Sequence, residues 1–171
     1  TEVLIHGYEE WGEELLQKLR GMFAFVIWDK KNKSIFGARD FFGIKPFYYT
    51  IANGNLIYAS EIKAILAHPD VKKEVNPIAL ENYLTFQYSV LEETFFKGIF
   101  KLMPAHCFTF KDGKMDIKRY WEPVFEADRS KSLEEYVDEI DAAMQDSIKA
   151  HKVADVEVGS FLSSGVDSSY V

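Results

Sequence analysis

The sequence predicts an α+β protein, an antiparallel layered sheet body followed by the first helix and strand of a second, α/β domain. Three observations carry this. Asn53-Gly54 and Asp112-Gly113 each sit between apolar runs, the signature of a two-residue hairpin. "MFAFVIWD" (22–29) is apolar on both faces, as a strand inside a layered core is. After Trp121 the pattern changes: a capped amphipathic helix leads into the short apolar run "VEVGSFL", an order that opens a βα-type unit. The expected organisation is a first body at 1–121, a linker at 122–131 and the start of a second domain at 132–171.

Taken in order, Leu4, Tyr8, Trp11, Leu15 and Leu19 recur at three- and four-residue steps, with Glu9, Glu10, Glu13 and Lys18 between them. This spacing predicts an amphipathic helix that Gly21 ends. Residues 22–29 then read as a buried central strand. "KKNK" turns the chain into "SIFGARD", "PFYYTI" runs up to Asn53-Gly54, and "LIYAS" returns before "EIKAILA" takes helical spacing. Asn76 reads as an N-cap with Pro77 in the first helical position. "HCFTF" and "MDIKRYW" flank Asp112-Gly113. "EPVFEADRSKS" is polar and aperiodic, hence the linker. Ser132 and Glu135 form a capping box, and Leu133, Val137, Ile140, Met144 and Ile148 mark a long acidic helix. Phe23, Phe25, Trp28, Phe36, Phe47 and Tyr49 follow strand patterning and are assigned to the core.

Composition narrows the function classes. A chain of 171 residues, 47% hydrophobic, can bury a real core. Its net charge of −7 argues against nucleic acid or an anionic membrane as the main partner. No apolar run approaches the ~20 residues of a spanning helix. The one cysteine, Cys107, forms no internal disulfide and fits a reducing compartment, so a cytoplasmic protein is expected. Cys107 is read as a small buried hydrophobe. His6, His68, His106 and His151 lack ligand spacing. Thr1 falls inside a helical pattern, and the chain reads as a piece of something longer.

"GSFLSSGVDSS" (159–169) is the stretch that carries chemistry. With 157–162 as a strand and Ser168 opening a helix, the turn presents backbone N–H groups, which suit a phosphate. Gly165 permits close approach, and the Ser163 and Ser168 hydroxyls add donors. Asp167 repels a phosphate unless Mg²⁺ lies between them. The plain alternative is a Ser/Gly turn in which Asp167 caps a helix. The loop lacks the Gly-Lys-Ser/Thr ending of the commoner phosphate loop.

"LSSGVDSS" resembles the SGGxDS loop of ATP pyrophosphatases, which release AMP and pyrophosphate. Upstream, "RGMFAFVIWD", "ARDFFGIKPFYY", "YASEIKAIL", "FKGIFKLMPAH" and "RYW" resemble the latter part of a glutamine amidotransferase domain of the N-terminal-nucleophile type. In that order, the segments resemble the glutamine-hydrolysing asparagine synthetase family over essentially the whole chain.

The resemblance implies an N-terminal domain that hydrolyses glutamine, an internal ammonia tunnel, and a C-terminal domain that makes β-aspartyl-AMP from aspartate and Mg-ATP, which ammonia converts to asparagine. It implies ATP and Mg as cofactors, glutamine, aspartate and ATP as substrates, no nucleic-acid or membrane partner, and admits a homodimer. The residues matched to the pyrophosphate loop are Ser163, Ser164, Gly165, Asp167 and Ser168, with Leu162 touching the nucleotide and Asp167 acting through Mg²⁺. Ser164 departs from the family's first loop glycine; its Cβ either crowds the phosphate or its hydroxyl adds a hydrogen bond. The family's nucleophilic cysteine lies upstream of the segment matching Thr1 and Cys107 does not match it, so this chain alone is expected to be inactive. Arg39 and Asp40 are read as an ion pair fixing the turn in "ARDFFGIKP", or as touching the active site. Glu61 and Lys63 are family-typical and are read either as lying near the domain interface or, more plainly, as a solvated helix start. A related ligase that adenylates another carboxylate, such as a β-lactam synthetase, and a non-catalytic scaffold are the rival readings.

Overall fold

The first helix stops sooner than its periodicity predicts. Helix α1 covers Glu2–Trp11 and ends at Gly12, whose φ of 57° lies in the left-handed region. A 3-10 helix, Gly12–Gln17, carries the chain on, and this break lets the neighbouring Leu15 and Leu16 both bury. Gly21, the expected stop, lies outside either helix.

The computed structural model describes residues 1–171, which divide into two units, Thr1–Pro123 and Val124–Val171. In the first unit β1 (Ala24–Asp29), β2 (Ser34–Arg39), β6 (His106–Lys111) and β7 (Lys114–Arg119) form an antiparallel sheet in the order β1-β2-β6-β7. A second sheet has the order β4-β3-β5, from β3 (Tyr48–Ala52), β4 (Asn55–Ala59) and β5 (Phe100–Lys101). Both expected hairpins form: Asn53 and Gly54 have φ of 51° and 76°, Asp112 and Gly113 of 50° and 75°, the paired positive values of a type I′ turn. The 30–33 turn is held by Asp29, whose two carboxylate oxygens accept from Asn32 N and Nδ2 at 2.9 and 2.6 Å.

The four-stranded sheet buries both faces. On one, Leu16, Phe36, Ala38 and Cys107 pack with Tyr8, Phe25 and Ile27; on the other, Phe108 meets Tyr49 of β3 and Phe47 and Leu102, which flank β3 and β5, with Ala24 and Val26 beside them. Full burial of each large apolar side chain contributes about 1.5–3 kcal/mol. This layering corrects one expectation. β1 is an edge strand, and the strand buried on both faces is its neighbour β2. Apolar residues on both sides of β1 reflect the layers above and below it, which a strand meets at a sheet edge as well as at its centre. Trp28 is a second correction: it is 54% exposed. Phe36, Phe47 and Tyr49 are buried as expected, and Phe23 and Phe25 partly so.

Gly37 marks the tightest point between the layers. A Cβ built there would lie 2.4 and 2.5 Å from Cε1 and Cζ of Phe108 and 3.2 Å from Phe25 O. Phe108 is 1% exposed and has no room to retreat. Gly37→Ala is therefore expected to destabilise the domain by about 1–3 kcal/mol. Thermal unfolding measures it, and Phe108→Leu in the same chain should recover part of the loss; an unchanged midpoint would contradict this packing.

Helix α2 (Ile62–Leu66) packs along β3 and β4 with Ile65 buried. Helix α3 (Pro77–Phe86) starts as its sequence predicts, with Asn76 Oδ1 accepting from Ile78 N and Ala79 N at 3.1 and 3.3 Å.

In the second unit, α4 spans Leu133–His151 behind a complete capping box: Ser132 Oγ accepts from Glu135 N, and the Glu135 carboxylate accepts from Ser132 N at 2.7 Å. The expected strand at 157–162 does not form. Strand structure requires a ladder partner, and neither sheet includes a segment of 124–171; Val158 and Phe161 are exposed. Helix α5, Val166–Tyr170, follows. No helix of the chain is long and apolar enough to cross a membrane.

Candidate functional site

The Ser/Gly loop is closed by its own side chains. Ser163 Oγ and Ser168 Oγ lie 2.9 Å apart, Ser163 N donates to Ser168 Oγ at 3.2 Å, and the Ser168 and Ser169 hydroxyls both reach Gly165 O, at 3.2 and 2.7 Å. The chain thus brings together Ser163, Gly165 and Ser168, three of the residues singled out from sequence. Leu162 stands apart, 74% exposed.

The two central loop residues have different requirements. Ser164 has φ of 62°, the left-handed region where glycine is free and another L-residue is strained by roughly 1–2 kcal/mol. Gly165, by contrast, has an ordinary φ of −78° and serves as the N-cap. A Cβ on Gly165 would lie 3.5 Å from Ser163 Oγ and 3.8 Å from Ser168 Oγ, filling the space over the hydroxyl pair.

The helix opens at Val166 rather than Ser168, which puts Asp167 in its first turn. No side-chain cap hydrogen bond is made at this start, so Asp167 is not the cap that the plain reading expects. A carboxylate in the first turn still lies favourably with respect to the helix dipole. Two supporting residues escaped the sequence reading, Ser169 and Tyr170. The Tyr170 hydroxyl donates to Asp141 Oδ1, and Gln145 Nε2 donates to Asp141 Oδ2 at 2.6 Å, tying α5 to α4. That hydrogen bond raises the Tyr170 pKa. The pairing joins residues 29 apart, and no local pattern signals it. A groove beside the C-terminal half of α4, lined by Met144, Ile148, His151 and Val158, includes none of residues 162–168.

In the first unit, Arg39 and Asp40 both act on the turn, but each binds backbone, correcting the expected ion pair. Asp40, 1% exposed, accepts from the N–H groups of Phe42 and Ile44 on Oδ1 and of Phe23 and Lys45 on Oδ2, at 2.9–3.3 Å. The Arg39 guanidinium donates to the carbonyls of Gly43, Lys45 and Leu102 at 2.6–2.7 Å. Complementary backbone groups hold both side chains, while the Asp40 charge helps to keep Arg39 ionised against its burial. Glu61 and Lys63 pair at 2.6 Å, exposed at the start of α2. Cys107 is buried in β6, and burial pushes its thiol pKa up to about 11. It remains a thiol near neutral pH, without the thiolate that nucleophilic attack requires.

Fold and loop define a class: a layered antiparallel α+β body followed in sequence by a capped helix and a Ser/Gly/Asp loop. A family model described as "Glutamine amidotransferase domain" matches residues 1–121, and one described as "Asparagine synthase" matches residues 139–171. The chain belongs to the glutamine amidotransferase family, with the opening of an asparagine synthase region behind it. It is 42% identical over its whole length to asparagine synthetase [glutamine-hydrolyzing] 3 of Bacillus subtilis, covering 28% of that protein. Asparagine synthetase [glutamine-hydrolyzing] 1 of the same organism is 41% identical, with 27% of its length covered. Amidase chyE of Penicillium rubens is 34% identical over 99% of the chain, which covers 25% of that amidase. The chain thus spans between a quarter and a third of the length of these curated relatives.

Proposed function

We propose that this chain belongs to an enzyme of ATP-dependent amide synthesis, converting aspartate to asparagine with ammonia drawn from glutamine. One observation carries the reading: both family matches occur in one chain, in the order of the glutamine-hydrolysing asparagine synthetases that align with it end to end. In this reading residues 1–121 belong to the glutaminase domain, 122–131 link, and 132–171 open the synthetase domain. The chemistry is coherent, since a carboxylate resists attack by ammonia whereas its adenylate carries a good leaving group. Work in the cytoplasm fits the lone, buried Cys107.

Within the loop, Ser163, Ser164, Gly165 and Ser168 would hold the pyrophosphate part of ATP, with Leu162 against the nucleotide. The Ser163 and Ser168 hydroxyls, 2.9 Å apart beside the bare Cα of Gly165, support this assignment. Asp167 would hold Mg²⁺. A hard carboxylate oxygen is the ligand type Mg²⁺ takes, and the Asp167 side chain is exposed and spent on no cap, so the residue fits. The ion, when bound, neutralises charge on the polyphosphate.

The products test the reading. The full-length protein carrying this chain is expected to release AMP and pyrophosphate only when aspartate is present, and to accept ammonium in place of glutamine. ADP and orthophosphate as products would overturn it. A second reading is a related ligase for another carboxylate, since a relative whose name is not asparagine synthetase, the fungal amidase, also aligns over 99% of this chain. Turnover with a different carboxylate and none with aspartate would select it.

A further inference from the structure

The tip of the β3–β4 hairpin carries a reactive arrangement that glutamine and ATP chemistry leave unused. Its two turn residues, Asn53 and Gly54, lie between the ladder-closing pair Ala52 and Asn55 and are exposed. Gly54 lies beyond the last ladder pair, and an added Cβ there would meet nothing within 4 Å.

We propose that Asn53 is a site of spontaneous deamidation. The Gly54 amide gives its proton to base, its nitrogen bonds to Asn53 Cγ, and the Cγ–Nδ2 bond breaks to release ammonia. Water then opens the cyclic imide at either carbonyl, leaving an aspartyl or isoaspartyl residue at position 53. A following glycine favours closure because no Cβ crowds the attacking nitrogen. The type I′ turn must open for the side chain to reach that nitrogen, and an exposed two-residue tip lies at the low-cost end of local opening.

The other four asparagines each lack one of these conditions. Asn76 is buried and followed by Pro77, which has no N–H to lose. Asn32 is clamped through its backbone N and Nδ2 by Asp29 and precedes Lys33. Asn82 donates Nδ2 to Ile78 O at 2.9 Å within α3 and precedes Tyr83. Asn55 stands in β4 before Leu56.

The modification has a structural consequence. The second hairpin tip is adjacent, since a Cβ on Gly113 would lie 3.7 Å from Gly54 O. A carboxylate formed at position 53 therefore adds negative charge beside the Asp112-Gly113 turn. An isoaspartyl linkage also adds a methylene to the main chain, which a two-residue turn in register with Ala52 and Asn55 cannot take without loosening.

Ageing the intact protein at mildly alkaline pH, with peptide mass spectrometry and isoaspartyl methyltransferase labelling, tests this. The mass gain of replacing NH₂ by OH is expected first at Asn53, at a rate within about tenfold of the urea-unfolded protein. Asn53→Gln, whose ring closure is slower, should abolish the labelling. No gain at Asn53 in the native protein while the unfolded chain reacts, equal gain at Asn32 or Asn82, or labelling that persists in Asn53→Gln would each overturn the proposal.

Discussion

Asp167→Asn in the full-length protein is expected to lower aspartate- and ATP-dependent turnover by ~100-fold or more while glutamine hydrolysis largely persists. That loss corresponds to roughly 2.7 kcal/mol of transition-state stabilisation. The substitution keeps the shape of the side chain and removes one charge, so a loss of this size isolates the charge–metal interaction rather than packing. The residue is exposed in the first turn of a short helix and supplies no capping bond, so the fold should be nearly indifferent. Raising Mg²⁺ should recover part of the loss if the defect is weakened metal retention. An unchanged synthetase rate would remove Asp167 from the site and leave it a favourable charge at a helix start.

Asp40→Asn should cost the first domain about 3–5 kcal/mol, because it strips one oxygen from a buried carboxylate that satisfies four backbone N–H groups. Whichever way the new amide is turned, its NH₂ faces a pair of donors, Phe42 and Ile44 or Phe23 and Lys45. The pH dependence has a definite sign. Burial pushes the Asp40 pKa up, but the N–H bonds from Lys45, Ile44, Phe42 and Phe23 outweigh it and hold the carboxyl below its ordinary value. A depressed folded pKa contributes stability above the unfolded value of about 3.9, and that stability is lost as pH falls through the folded pKa. Unfolding midpoints of the parent should therefore fall below about pH 4, and the variant's curve should be flatter there. Parallel curves for the two proteins would mean that Asp40 is protonated, or unpaired, in the native state.

Some of this molecule was legible because the signal is local. Asn53-Gly54 and Asp112-Gly113 dictate positive φ at adjacent positions, and both hairpins form where the dipeptides stand. Asn76-Pro77 and the Ser132–Glu135 box satisfy helix-start donors within three residues, and both helices begin there. The candidate loop was legible for a related reason: hydroxyls, a glycine and one carboxylate within six residues describe their chemistry wherever the segment lies.

Position within a sheet is not local. Apolar residues on both faces of 22–29 correctly implied layers above and below, but the hydrogen-bond neighbours of β1 are chosen by other segments, which left it at an edge with Trp28 exposed. The segment 157–162 has strand composition without a partner ladder, and composition alone does not make a strand. The roles of Arg39 and Asp40 were likewise decided by tertiary structure. Adjacent opposite charges suggest a pair, yet the backbone groups of residues 42–45, Phe23 and Leu102, gathered from three parts of the chain, hold each side chain separately. The sequence by itself determined where chain direction changes and which groups are chemically capable. Only tertiary structure decided which of those groups meet, because a buried charge binds whichever complementary backbone the fold delivers to it.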